Sequence, residues 1–321
     1  RDLVRSRGLG DVYKRQSSDK QIRDGILALA AGFGTYATLN MLVNIGNNRY
    51  RLIDFWTGTY RAATGSGALN TLPISVAPYA VKFEKRLPVK IMFLALFFAT
   101  IQYMFMLGTR TQFAILLLIV ILAALQFAYS EQGIAGVLKC IGIMAVISLI
   151  AFLLYHFNVL SIGDYILSTN LAARYQRRAS LENADSFRFQ SFWIGLRELI
   201  QYPMGGRASQ IYRHNMWLDV GRVSGIIPFC LLLVYSIKNF ANVTVIWKNT
   251  KILPSLRYLL LFLYIGAYVN CFVEPIWEGA LNFFLALCVV DGMVSAMMRR
   301  LENDHTPEES VSDTSNLHTD L

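Results

Sequence analysis

The stretch VKIMFLALFFATIQYMFMLGTRTQFAILLLIVILAALQFAY, residues 89–129, decides the fold class. Two apolar blocks, 89–107 and 113–129, each approach the length of about 18 to 20 residues that carries a helix across a bilayer. Only Gly108-Thr109-Arg110-Thr111-Gln112 separates them. Backbone groups in hydrocarbon must find partners within their own segment, so blocks of this kind are helices. The tight polar turn makes them antiparallel neighbours that enter and leave on the same side.

The same reading extends in both directions. Apolar blocks recur at 25–45, 134–155, 223–236, 256–272 and 279–298. A shorter block, 68–81, contains Pro73 and Pro78 and reads as a kinked helix or a re-entrant segment. The expectation is an all-α polytopic membrane protein with about eight spans, comprising residues 17–298. Residues 1–16 have no hydrophobic period and resemble translated adaptor sequence, so they are set aside from fold reasoning, with the expectation that further spans precede this stretch. Residues 299–321 are polar and acidic and read as a disordered tail. With 55% hydrophobic residues among 321, a soluble enzyme is excluded.

Charge is informative through its placement. The net charge of +9 reflects topology signals rather than a nucleic-acid footprint, so no nucleic-acid partner is expected. Beyond residue 16, every lysine (Lys20, Lys82, Lys85, Lys90, Lys139, Lys238, Lys248, Lys251) falls at one side of the alternating spans. That side is read as cytoplasmic, which puts the C-terminus inside. The opposite segments, 46–67, 108–112, 156–222 and 273–278, carry arginine alone. Of these, 156–222 is the longest and holds Arg174, Arg177, Arg178, Arg188, Arg197, Arg207, Arg213 and Arg222.

Arginine's planar fork matches phosphate in two bonds at once, and it is less strongly hydrated than lysine. An arginine-only outer segment suits an anionic, lipid-linked ligand; the plain alternative is a solvated, headgroup-facing segment. Within it, Asp185–Gln201 reads as an amphipathic helix. Phe189, Phe192, Trp193, Leu196, Leu199 and Ile200 form its apolar stripe, and Arg188 and Arg197 flank that stripe. The stripe is expected to lie on the membrane surface or on the helix bundle. Pro203, Gly205 and Gly206 end the helix. His214 stands shortly before the apolar pattern resumes, among Arg207, Arg213 and Arg222. Nearby cations favour a neutral imidazole, the form a general base requires. Glu274 and Glu278 are alternative bases or structural carboxylates. Cys140, Cys230, Cys271 and Cys288 form no CxxC pair and have no histidine at metal-ligand spacing, so no metal site and no cofactor are expected.

These residues also carry a family resemblance. His214-Asn215, nine residues, then Gly225 matches the H-[NSQ]-x9-G pattern of the O-antigen ligase and polymerase superfamily. Pro228 stands where that pattern usually continues with Gly, Thr or Tyr. Arg188…Trp193…Pro203-Met204-Gly205 resembles the family's R…W…P-hydrophobic-G signature, and Gly108-Thr109-Arg110 resembles its arginine-bearing turn. The resemblance covers roughly residues 90–298. It implies a type C glycosyltransferase helix bundle in the bacterial cytoplasmic (inner) membrane. The implied reaction is metal-independent and inverting, from an undecaprenyl diphosphate-linked oligosaccharide to a sugar hydroxyl. The acceptor is a glycan on another lipid-linked unit for a polymerase, or lipid A core for a ligase; Pro228 tips the expectation towards the polymerase. By position, His214 would act on the acceptor hydroxyl while Arg110 and Arg188 hold the diphosphate. Arg174, Arg177, Arg178, Arg207, Arg213 and Asn215 are expected to bind substrate. A transporter of lipid-linked glycan or of small anions is the competing reading. It predicts broken helices in paired repeats and ionisable residues inside spans; only Asp291 meets the second condition, and no internal repeat is visible. An inert membrane scaffold is a third reading, and it leaves the arginines unexplained.

Overall fold

The computed structural model describes residues 18–46, 52–60, 63–179 and 184–303. The expected scar and nearly all of the acidic tail lie outside these residues. The described chain is helical, with one isolated bridge between Ile53 and Tyr60 and no β-strand among the described residues.

Six helices are long and apolar enough to cross a membrane. They are α1 (Asp19–Val43), α4 (Leu87–Leu107), α5 (Arg110–His156), α10 (Ile226–Lys248), α11 (Pro254–Val273) and α13 (Leu281–Asn303). Between α1 and α4 lie two short helices, α2 (Ala63–Leu69) and α3 (Thr71–Lys82). The segment 156–222 is not an open loop. It carries a single 3-10 turn (Val159–Ser161) and helices α6 (Ile162–Ser168), α7 (Asn170–Ala179), α8 (Ala184–Gln201) and α9 (Met216–Ser224). A one-turn helix, α12 (Ile276–Gly279), joins α11 to α13.

Helix α5 covers both expected spans 113–129 and 134–155. It is two helices joined at Gly133, whose φ of 60° and ψ of −143° are not helical. A Cβ on Gly136 would stand 2.3 Å from the Ala128 carbonyl oxygen. In a continuous helix those residues would be about 12 Å apart along the axis, so the chain doubles back here. A side chain at Gly133 would be strained in this conformation.

The block 68–81 forms the end of α2 and most of α3, and all of it but Val81 is buried. The chain leaves helical hydrogen bonding at Asn70, and every residue from Thr71 to Ala80 in α3 is buried. Pro73 occupies the first turn, where no intrahelical donor is needed, and Pro78 interrupts the ladder inside the helix. Helices α4, α5 and α11 pack around this element. Its faces are small and polar where they meet α11: a Cβ on Gly266 would lie 2.4 Å from Ser75 Oγ. Asn270 Nδ2 donates to Thr71 Oγ1 at 3.0 Å.

The spans share two ends. One end gathers an ion pair of Arg300 with Asp19, the Leu253 amide on Asp19 Oδ2, and a Lys82–Glu131 pair. The other end gathers residues 44–46, 52–60, 108–112 and 274–279 and the described part of 156–222. At this end Asp54 organises a compact turn, accepting from the Trp56 and Thr57 amides and from Tyr36 Oη. Arg49, Arg51 and Arg61 lie outside the described residues.

One expected boundary is corrected. The block 223–236 is not a span of its own. Val223 and Ser224 close α9, and Gly225, with φ of 95°, breaks the helix before α10 begins. Helix α10 then runs past Lys238 and Asn239 to Lys248. Hydropathy falls at those residues, but the helix continues through them.

Candidate functional site

Helix α9 is the centre of the end where the lysine-free segments meet. It lies antiparallel against α10: Trp217 Nε1 donates to Ser236 Oγ at 2.9 Å, while a Cβ on Gly221 would meet Phe229 Cβ at 3.3 Å. The start of α9 therefore lies deeper than its end. His214 and Asn215 precede that start, so they are set inward of Gly225 rather than just above a membrane entry.

Asn215 is a helix cap. Its Oδ1 accepts from the Leu218 amide at 3.1 Å, and its Nδ2 donates to the Phe272 carbonyl at 3.2 Å. The residue is buried. Its place in the site is to fix the His214 turn onto the end of α11. His214 itself adopts φ of 55°, a left-handed conformation uncommon for a residue with a side chain. Its ring is half-buried and stands edge-on to Tyr212 at 4.7 Å between centroids. Positive φ at a non-glycine residue beside a capped helix is the kind of local strain that functional turns hold.

The two glycines quoted for the family resemblance touch each other. Gly205 has φ of 75°, and a Cβ on it would stand 2.5 Å from the Gly225 amide nitrogen. A Cβ on Gly225 would stand 2.4 Å from the Pro203 carbonyl oxygen. The strands of chain around them are bonded: the Ile226 amide to Pro203 O at 2.8 Å, Gly206 to Val223 O at 2.9 Å, and Arg207 to Arg222 O at 3.1 Å. Only glycine permits this approach at both positions.

Around α9, three of the arginines are matched by carboxylates. Arg213 forms a two-pronged pair with Glu198, Nε to Oε2 at 3.0 Å and Nη2 to Oε1 at 2.6 Å. Arg207 approaches the same carboxylate at 3.9 Å and stacks over the Tyr202 ring at 4.2 Å. Arg222 is fully buried. It pairs with Glu278, approaches Asp219 at 3.7 Å, and donates to the carbonyls of Arg207, Ala208 and Gln210. Three arginines thus face three carboxylates. The expectation of an uncompensated cationic surrounding for His214 is corrected accordingly: Glu198, Asp219 and Glu278 supply the missing charge. Burial pushes the Asp219 carboxyl above the usual carboxylate range, and the Arg213 amide and Arg222 hold it back in part. Asp219 Oδ1 accepts that amide at 2.6 Å.

Helix α8 confirms the expected helix and turns it. The residues packed inward are Ser191, Gly195, Glu198 and Leu199. Gly195 matters here, because a Cβ would come within 3.1 Å of Leu218 on α9. Phe189, Trp193 and Ile200 of the predicted stripe face outward, while Phe192 packs against Phe272 at 6.0 Å. Close contact with α9 selected the small residues, leaving most of the aromatic stripe for the surrounding medium.

Arg110 begins α5 on the same side. With Thr111, Ala114, Ile115, Leu118, Tyr175, Val269 and Val273 it lines a cleft of about 330 Å³ between α5 and α11. Thr111 Oγ1 donates to Glu274, and Gln112 Nε2 donates to Asn270 at 3.2 Å. The end of α11 therefore joins three parts: Phe272 receives Asn215 and Phe192, and Glu274 receives the turn before the cleft. Arg174 on α7 lies over that turn. Its Cδ is 2.9 Å from where a Gly108 Cβ would stand, and its side chain is exposed. Asn170 Nδ2 secures α7 there through the Met106 carbonyl. Arg177 and Arg178 fall on α7 and Arg188 on α8, but their side chains lie outside the described set.

The residues that sequence reasoning missed are Glu198 and Asp219. Asp219 and Arg222 are spaced i, i+3 on one helix, a readable signal. Glu198 meets Arg213 across fifteen positions and two elements, which spacing cannot reveal. No group of three or more metal-ligating side chains clusters among the described residues. No known protein family and no curated protein sequence matches this chain.

Proposed function

We propose that this chain moves a glycan from a polyprenyl diphosphate carrier to a sugar hydroxyl at the outer face of the bacterial cytoplasmic membrane, acting as a polysaccharide polymerase. The observation that carries the reading is the α5–α11 cleft. Arg110 stands at its polar end, and Ala114, Ile115, Leu118, Val269 and Val273 continue it downward. That shape fits an amphiphile with an anionic head and a hydrocarbon tail. Arg110 and Arg174 then neutralise the diphosphate as it leaves, which is the electrostatic share of catalysis. His214, on its strained turn, accepts the proton of the attacking hydroxyl. The hydroxyl oxygen forms the new bond to the anomeric carbon, and the carrier diphosphate departs with the bonding electrons. Arg207, Arg213 and Asn215 hold the turn in place rather than touch the donor.

The test is His214→Ala and Arg110→Ala in cells, scored by glycan chain length at matched protein level. Shortened or absent polymer in both is expected; polymer of normal length in both overturns the assignment. Polymer that is still made, with lipid A core left bare, identifies a ligase.

A second reading, transport, is favoured by the broken element α2–α3. Both polar atoms of the Asn70 side chain are buried and have no partner among the described residues. Discontinuous helices with buried polar groups mark transporter sites. Loss of carrier movement across the membrane in Asn70→Ala, with transfer intact, would move the assignment to this class.

A further inference from the structure

Asp291 lies in the middle of α13, buried to 2% exposure, and among the described residues its partners include no cation. An ionisable side chain at membrane depth is costly, and one that persists has a task. Its partners are two phenols from two other spans. Tyr235 Oη of α10 donates to Oδ2 at 2.7 Å, and Tyr264 Oη of α11 donates to Oδ1.

From there an aromatic ladder climbs towards the lysine-free end. The Tyr264 ring stacks on Tyr268, one turn on, at 5.8 Å and 19°. Tyr268 stacks on Trp217 at 6.3 Å and 27°, and donates to the Ser236 carbonyl at 3.1 Å. Trp217 bonds the same serine through Nε1. Trp217 is in the first turn of α9, the helix that Asn215 caps, and Asn215 in turn holds the Phe272 carbonyl, one turn beyond Tyr268. The carboxylate, the ladder and the cap thus form one connected path from mid-membrane to the His214 turn. Stacked rings are stiff and have few rotamers, so a displacement at one rung is passed to the next.

We propose that Asp291 is a positioning residue: through Tyr264, Tyr268 and Trp217 it sets the register of α9 against α10 and α11, and so the placement of His214. Its functional consequence rests on the reading of His214 as the acceptor base. The placement itself can be tested without any transfer reaction.

The experiment uses the full chain in nanodiscs, with diethylpyrocarbonate modification followed at each histidine by mass spectrometry. Wild type is compared with Asp291→Asn, Asp291→Glu and Tyr264→Phe. A lost hydrogen bond shifts a local opening equilibrium by about fivefold. We expect the rate at His214 to change by about that factor in Asp291→Asn and Tyr264→Phe. Asp291→Glu should restore it in part. His156, exposed and stacked on Phe152 at 5.7 Å, serves as the internal control and should not change. In a background where Trp217 is the sole tryptophan, its emission should shift with the same variants. Unchanged His214 rates and unchanged Trp217 emission in folded Asp291→Asn and Tyr264→Phe protein overturn the proposal. Equal changes at His214 and His156 also overturn it, since they report general loosening. In a transfer assay, Asp291→Asn should lower kcat and leave donor KM unchanged. Absence of transfer in wild type would refute the function while leaving the modification result to judge the ladder.

Discussion

Two sets of arginines occupy the lysine-free end, and they differ in what surrounds them. Arg207, Arg213 and Arg222 face Glu198, Asp219 and Glu278 across the α8–α9 junction, and Arg222 is sealed from solvent. Arg110 stands at the rim of an apolar cleft, and Arg174 lies exposed over the turn before it. In the sequence Arg174, Arg207 and Arg213 read alike. A buried guanidinium must be matched by carboxylates and carbonyls, because desolvation is otherwise prohibitive. Arg110, by contrast, lines an open cleft beside Thr111 and Tyr175. Burial, rather than charge, separates the arginines paired around α9 from those at the cleft and over the turn.

The sharpest way to break this division is Arg222→Met. It strands Glu278 and Asp219, and removing one partner from a buried ion pair costs about 3–5 kcal/mol. Loss of folded protein, or a large fall in unfolding midpoint in detergent, is expected. A variant as stable as wild type would show that the cluster is not what holds α8, α9 and α12 together. Arg110→Ala should behave in the opposite way. It should lower the unfolding midpoint less than Arg222→Met does, while transfer falls by about 100- to 1000-fold, the usual effect of losing one charge-stabilising donor. Equal loss of stability in the two variants would erase the contrast.

Asn215→Ala is the intermediate case, since it removes a cap worth about 0.5–2 kcal/mol. It should lower both the unfolding midpoint and the transfer rate; lower donor affinity at unchanged stability would make Asn215 a substrate contact instead.

The smallest effect concerns pH. Asp219 has a raised folded-state pKa, so the folded protein binds this proton more tightly than the unfolded chain does. Its contribution to stability is complete below the unfolded value of about 3.9 and fades as pH rises through the raised folded value. Asp219→Asn should remove that component, leaving stability less dependent on pH through this window. An identical pH profile in wild type and variant would contradict the buried, partly compensated environment described for Asp219.

Much of the fold was legible because span formation is local. The blocks at 89–107 and 113–129 need only their own hydropathy, and the Gly108–Gln112 turn needs only its polarity. Boundaries were less legible, because hydropathy falls before hydrogen bonding stops, as at Lys238 in α10. The reversal at Gly133 depends on backbone angles that composition does not encode uniquely. At the site, His214, Asn215, Gly205 and Gly225 were singled out by spacing, and the structure brings Gly205 and Gly225 into contact. Asn215 before an apolar-periodic run was readable as a cap by its residue type alone. The Glu198–Arg213 pair was beyond reach, because it exists only once α8 folds back over α9. The aromatic stripe of α8 was visible as a pattern, but its direction was not. Gly195 decides that direction, and its role appears only with Leu218 beside it.

The measurement that tests the central claim most directly is transfer by the purified protein in nanodiscs, supplied with lipid-linked repeat units and no added metal. Wild type, His214→Ala and Arg110→Ala are compared at equal folded content. The account predicts lengthened glycan on the carrier with wild type, a loss of about 100-fold or more with His214→Ala, and a comparable loss with Arg110→Ala. Product formed equally by wild type and His214→Ala, or no product from folded wild type with donor and acceptor present, would contradict it.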